Sequence, residues 1–567
     1  MTSNLKQLKE DIKKHNFAKS SIILGLAALL VSCGGGGGAG NSGGTSAATP
    51  TPANPAPVTT KPTVTATTSG IGWNSSTISY DKNNPHNNSN TALTGNDVKI
   101  GIIDVGFENS SFNSDLTEKF GSRLTKLTVP GFTSEATAND DHGIVVADLV
   151  AGSSTGIAKG ASVYVIDAAK RNTDKNVTYP SVKLEMYQKL KDNGVTIYNQ
   201  SFGIDGEVTD FNADNTSSHY YGFQIGSSML DFYRNEVNNG SLFVWSAGND
   251  SSDKQPTLEG GLPHFESGLQ KGWINVVALT SKDESKLGDT SWSNLTPLSP
   301  AGVAKNWTVT AVGDQIFTIK GQNYIGGGSS FAAPIVTGTA ALIKQKYPWM
   351  DADLIRQTIL STATDIGTPG VDDVYGWGLL NIDKALKGPA LFDKRLALGD
   401  DVYITLDGRS KPYEFDNDIS GDAGLVLRGS GTLILNGAAT YTGETNVGNN
   451  VYLKIKRMNS PSTLSIGKEA IVEVSSSTIN NIQNDGTFIN NGNSIANNVV
   501  MTNESKMYSD INANLKATNA EVNGIVTVTN NNGEYLTKNG KNIDIITGNV
   551  TGNSEIKSDN GLMTVNK

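Results

Sequence analysis

A chain of 567 residues is too long for one hydrophobic core, so two or more domains are expected, and the length accommodates an enzyme. Lysine and arginine total 45 against 55 acidic residues, a net charge of -10 at pH 7 with no basic block beyond the first residues, so nucleic acid is not an expected partner. The single cysteine, Cys33, excludes an internal disulfide framework and a cysteine-based zinc site.

Residues 1–33 carry Lys6, Lys9, Lys13, Lys14 and Lys19, then the apolar run "SIILGLAALLV". That run is too short to cross a bilayer and suits the core of an export signal. It ends in Leu30, Val31, Ser32 and Cys33, which resembles a bacterial lipobox, where the cysteine is acylated and becomes the mature N-terminus. The resemblance implies a lipid anchor at Cys33; the alternative is a plain secretory signal with an incidental cysteine. Residues 34–94 form a linker, glycine-rich first and then Thr/Pro/Ala-rich, that cannot build a core. Its glycines are not a phosphate loop, because no Gly-Lys-Ser/Thr follows them.

Over residues 95–388 short apolar runs such as "VKIGIID", "SVYVIDA", "VTIYNQS" and "LFVWSAG" alternate with longer segments such as "GIVVADLVAG", "PSVKLEMYQKLKDNG" and "PIVTGTAALIKQKY". Runs without polar alternation are expected of strands covered on both faces, and the longer segments read as helices. The predicted domain is α/β with a doubly wound, mainly parallel sheet. Reactive groups in such a sheet gather at the carboxyl ends of strands.

Asp104 closes "VKIGIID", where it either caps a turn or orients a base from a semi-buried position. His142 lies in "DDHGIVVADLVAG" at the start of a predicted helix; alone it reads as an ordinary helix-start or core histidine, but an imidazole there can also exchange a proton near neutral pH. In "GGGSSFAAP" the glycines allow close backbone approach, and Pro334 places a helix start near Ser330. A serine at that point either caps the helix or sits where free amides and the helix dipole stabilise a negative oxygen.

Together these segments resemble the subtilisin-like serine proteases, whose order along the chain is Asp, His, Ser. The family's serine motif, Gly-Thr-Ser-x-Ala-x-Pro, is matched by "GSSFAAP" with Ser329 in place of threonine. The resemblance implies that Ser330 is the nucleophile, His142 the general base and acid, and Asp104 the residue that orients the imidazole. It also makes Asn249, in "FVWSAGND", the side-chain donor of the oxyanion hole. By the same resemblance Ser201, Phe202 and Gly203 of "NQSFG" pair with an extended substrate, with Ser246, Ala247 and Gly248 lining the opposite side. The segment "YGWGLLNIDKAL" resembles the one that closes the domain in this family.

Departures accompany the match. Val105 stands where the family usually has a hydroxyl after the aspartate, and Ile144, Val145 and Asp148 replace the Thr, second His and final Gly of His-Gly-Thr-His-Val-Ala-Gly. No cofactor is expected for the chemistry. Many relatives bind calcium, but no calcium loop is legible, so metals stay open.

In residues 389–567 the helical signal fades, and Asn, Gly, Thr and Ser dominate short alternating runs such as "GSGTLILNG" and "NGIVTVTNNNG". An all-β region is predicted, a parallel β-helix in preference to a sandwich. The run from Ser420 to Gly448 resembles a repeat in passenger domains of autotransporters of Gram-negative bacteria. The expected function is a serine endopeptidase, lipid-anchored at the outer membrane or cell surface or released from it, acting on surface or extracellular proteins and peptides, with its own chain among the candidate substrates. The alternative from a different class is a catalytically degenerate adhesin or scaffold.

Overall fold

The β-branched runs form the strands of a parallel sheet in the computed structural model, which describes residues 92–567 apart from 138–139, 173–176, 282–294, 511–512, 530–545, 559–560 and 567. The expected export signal, Cys33 and nearly all of the expected linker lie outside the described residues. The strands are β1 (Lys99–Asp104), β2 (Leu124–Lys126), β3 (Ser162–Asp167), β4 (Ile197–Gln200), β5 (Leu242–Ser246), β6 (Trp273–Ser281), β7 (Leu295–Leu298) and β8 (Thr308–Val312). Their order in the sheet is β8-β6-β5-β4-β1-β3-β2, and every pair on this path is parallel; β7 joins β6 in antiparallel fashion.

Helices cover both faces, as the unbroken apolar strands require. Helices α1 (Asn113–Phe120), α2 (His142–Ala151), α5 (Ser329–Lys346) and α6 (Ala352–Ser361) share one apolar cluster with the sheet; α3 (Leu184–Asp192) and α4 (Ser227–Asn238) pack into a second. The second cluster is aromatic, with Tyr187, Tyr198, Tyr233, Phe243, Trp245 and Trp273 in mutual ring contact. From β1 the chain moves to β3 and β2 on one side, while β4 and β5 lie on the other. The carboxyl ends of β1 and β4 therefore flank a switch point, where a crevice opens in sheets of this kind.

The remainder is all-β. Strands from Asp401–Asp407 to Ile546–Thr551 stack in parallel, in two columns that alternate along the chain. One column runs through Val451–Ile466, Ser477–Asn484, Asn493–Met501 and Asn514–Val522; the other runs through Ile471–Val474, Thr487–Asn490, Lys506–Asp510 and Ile525–Thr529. This is a coil of parallel rungs. Its exposed asparagines are used in register: Asn498 Nδ2 donates to Asn481 Oδ1 at 2.9 Å, and Asn519 Nδ2 to Asn498 Oδ1 at 3.2 Å. Such amide ladders satisfy stacked side chains from rung to rung, which accounts for a composition so rich in asparagine.

Candidate active site

Asp104 is the last residue of β1 and His142 the first of α2, and the two meet because the chain between them returns to the end of the same strand. Gly143 makes the approach possible: its N–H donates to Val105 O at 2.9 Å, and a Cβ there would stand 2.9 Å from the Asp104 Cβ and 2.8 Å from Val105 O. His142 Nδ1 lies 2.8 Å from Asp104 Oδ1, an oxygen that also accepts the Val105 N–H at 2.7 Å. Burial lowers the affinity of His142 for a proton, but the Asp104 charge and hydrogen bond, with a smaller contribution from Asp141, outweigh it and raise the imidazole above its ordinary value. The ring also packs against Phe331, with centroids 5.7 Å apart.

Asp104 Oδ2 is buried and has no hydrogen-bond partner among the described residues. A hydroxyl at position 105 is the usual family feature next to this carboxylate, and Val105 supplies none. The other departures are compensated. Asp148 forms a buried ion pair with Lys119 at 2.6 Å, which holds α1 against α2, while Ile144 and Val145 are core residues.

Ser330 sits in the first turn of α5, whose initial amides have no acceptor within the helix. Its hydroxyl donates to Ser201 O at 3.1 Å, and no hydrogen bond joins it to His142. The Ser201 hydroxyl in turn donates to Ser330 O at 2.9 Å. That carbonyl would ordinarily accept the N–H four residues on, but residue 334 is proline and has none. Ser201 therefore supplies the donor that Pro334 withholds. Asn199 Nδ2 donates to Ser201 Oγ at 2.9 Å, and Thr337 Oγ1 to Asn199 Oδ1 at 2.8 Å, so a buried chain of side chains ties the first turn of α5 to the end of β4. Asn199 opens the "NQSFG" segment, but its bond to Thr337 is not legible in the sequence, since no spacing signal links residues so far apart.

Asn249 follows β5 and faces the same helix start. Its Oδ1 accepts both the Ser329 N–H at 2.7 Å and the Ser329 hydroxyl at 2.9 Å, and Gly248 N–H donates to Ser329 Oγ at 3.2 Å. With the oxygen so engaged, the amide nitrogen is the end left to donate. Gly328 has φ 151° and lies against this amide, where a Cβ would stand 3.1 Å from Asn249 Oδ1.

The predicted recognition segments flank this group. Pairing of β4 with β5 ends at Gln200 and Trp245, so Ser201, Phe202 and Gly203 continue beyond the sheet. Phe202 and Gly203 make no backbone hydrogen bond among the described residues. On the other side Ser246 ends β5, Ala247 N–H donates to Val276 O at 3.0 Å, and Ala247 O accepts Thr257 N–H at 2.9 Å, so that edge is partly used within the protein. Among the described residues no group of three or more His, Cys, Asp or Glu side chains is placed to hold a metal ion.

In comparison with known proteins, the model of the subtilase family matches residues 95–378. The chain is 34% identical over 320 residues to the Neisserial autotransporter lipoprotein NalP of Neisseria meningitidis serogroup B, covering 51% of this chain and 28% of that protein. It is 30% identical over 439 residues to serotype-specific antigen 1 of Mannheimia haemolytica, covering 62% and 46% respectively. It is 24% identical over 467 residues to an extracellular serine protease of Serratia marcescens, covering 64% and 42%. The matches thus span less than half the length of each of these relatives.

Proposed function

The chain belongs to the subtilase family, and from that premise we propose that it is a serine endopeptidase in which Asp104, His142 and Ser330 act together and Asn249 stabilises the oxyanion. The observation that carries this reading is the 2.8 Å contact of His142 Nδ1 with Asp104 Oδ1, beside a helix start where Ser329 turns the Asn249 amide.

The Nδ1 contact holds the tautomer that leaves Nε2 as the base. The attack requires the Ser330 side chain to turn away from Ser201 O so that its hydroxyl reaches Nε2. The proton passes to the imidazole as Oγ attacks the substrate carbonyl carbon. Negative charge then develops on the carbonyl oxygen, where the Ser330 N–H and Asn249 Nδ2 donate to it. Collapse of this intermediate breaks the C–N bond, and His142 returns the proton to the leaving amine. Water repeats the sequence on the acyl-enzyme. An extended substrate lies along Ser201–Gly203, where the free backbone groups of Phe202 and Gly203 suit strand addition, with Ser246–Gly248 opposite.

The names of the Neisseria and Mannheimia relatives, with the lipobox-like end of residues 30–33, support a cell-surface protein of a Gram-negative bacterium anchored through Cys33. Its substrates are proteins or peptides at or outside the surface, its own chain included. One observation favours the second reading, a catalytically degenerate adhesin: Asp104 Oδ2 is buried without a partner among the described residues. Wild type and Ser330→Ala, each incubated with unfolded casein, separate the readings. The peptidase reading expects turnover by wild type alone; intact casein with both proteins contradicts it.

A further inference from the structure

Thr257 stands between the two segments assigned to the substrate. Its N–H bonds Ala247 O at 2.9 Å, its side chain would lie 3.1 Å from a Cβ on Gly203, and its Cγ2 would lie 3.3 Å from one on Gly248. Two residues on, Glu259 Oε2 accepts the N–H of Ile204 at 2.9 Å, the residue that follows Gly203. Glu259 is only 4% exposed, and no lysine, arginine or histidine among the described residues pairs with it. Its surroundings are the Ile204 amide, the nearby phenols Tyr187 and Tyr233, and Trp273, whose Nε1 donates to Glu259 O at 2.8 Å.

A buried carboxylate without a cation is costly, and burial pushes Glu259 up to about 7. Further acidic groups lie around Thr257. Glu207 bridges Thr257 in antiparallel fashion, and Asp253 and Asp210 lie near enough to raise it, with Lys254 the opposing cation.

We propose that Glu259 is a specificity-determining residue, its carboxylate forming the floor between Ser201–Gly203 and Ser246–Gly248 and selecting a lysine or arginine side chain immediately before the scissile bond. The proposal rests on the peptidase reading. A long side chain entering between two glycine-lined walls places its methylenes against Phe202 and Trp245, whose rings stand 5.5 Å apart, and its cation on the waiting carboxylate. An uncharged isostere leaves that carboxylate unpaired, a strong basis for discrimination.

The test uses the full chain and fluorogenic peptides that differ only in the residue before the scissile bond: Arg, Lys, Met, Gln or Glu. Wild type is expected to cleave the Arg and Lys peptides with kcat/KM at least about tenfold above Met, and Glu259→Gln to lose about 100-fold on Arg and Lys while Met stays within about threefold. A flat wild-type profile overturns the proposal, as does a basic preference that survives in Glu259→Gln. Benzamidine competing with the Met peptide on wild type gives a readout independent of any variant; lack of competition also overturns it. Labelling of Ser330 by a fluorophosphonate separates the two levels: labelled protein with a flat profile removes the specificity claim alone, whereas unlabelled protein that cleaves nothing removes the peptidase reading with it.

Discussion

At the scale of single residues the site depends on groups whose partners fix which end of them is free. Asn249 is the clearest case, because Ser329 occupies its oxygen twice and leaves its nitrogen to donate. Asn249→Ala is expected to lower kcat by roughly 10²–10³ with little change in KM, the loss known for such a donor in subtilisin, a member of this family. Steady-state kinetics on a peptide substrate checks it. In the proposed mechanism His142 carries the pH dependence. Its proton affinity is raised by Asp104 against the opposing effect of burial, and only the neutral ring accepts a proton, so kcat/KM falls as pH drops through a midpoint above the ordinary imidazole value of about 6.5. Asp104→Asn removes the charge that raises it and leaves burial, so the midpoint moves to lower pH while the plateau drops about 10⁴-fold. A pH–rate profile of both proteins shows the direction; a midpoint that stays put would mean that Asp104 does not govern the imidazole.

At the scale of elements, the link between β4 and α5 is a hydrogen-bond chain rather than apolar contact alone. Ser201→Ala leaves the Ser330 carbonyl without the donor that replaces the missing Pro334 N–H, and leaves Asn199 Nδ2 without its acceptor. The expected cost is about 1–3 kcal/mol of stability, measured by urea denaturation. The Ser330 hydroxyl keeps its contact, since it bonds the backbone of Ser201 rather than the side chain. Strands, helices and the places of Asp104, His142, Ser330 and Asn249 at strand ends and helix starts were legible in the sequence as local patterns: an apolar run ending in a polar residue, a helix start, a glycine-rich bend; the roles assigned to them rest on the family resemblance. Thr337 and Glu259 were not, because one lies inside an apolar helix and the other in a glycine-rich turn, and only tertiary packing gives either a neighbour. Asp148, at the position of the family's final glycine, likewise gains its role only from Lys119 on a different helix.

At the scale of the whole molecule, the peptidase-like body and the β-coil share one core. Tyr347, at the end of α5, donates to Glu414 O at 2.8 Å and packs with Phe415; Trp349 packs with Tyr413; and Asn417 Nδ2 donates to Lys384 O at 2.9 Å. Arg356, fully buried in α6, pairs with Asp353 at 2.7 Å and donates to Leu396 O in the segment leading into the coil. Two parts joined this way unfold together where they meet. Trp349→Ala is expected to lower the thermal transition of both parts, followed by calorimetry and by loss of activity with temperature; a transition of the coil that stays fixed while the other moves would show them to be independent. The sequence marked the change of texture near residue 388, but the residues that make this joint are ordinary aromatics in isolation.

The most direct measurement is the rate at which a fluorophosphonate modifies the full-length protein, with the adduct mapped by mass spectrometry, in wild type and His142→Ala. The expected result is a single adduct on Ser330 that forms at least about 10³-fold faster in wild type. An adduct on another serine, or equal rates in the two proteins, would contradict a nucleophile activated by His142.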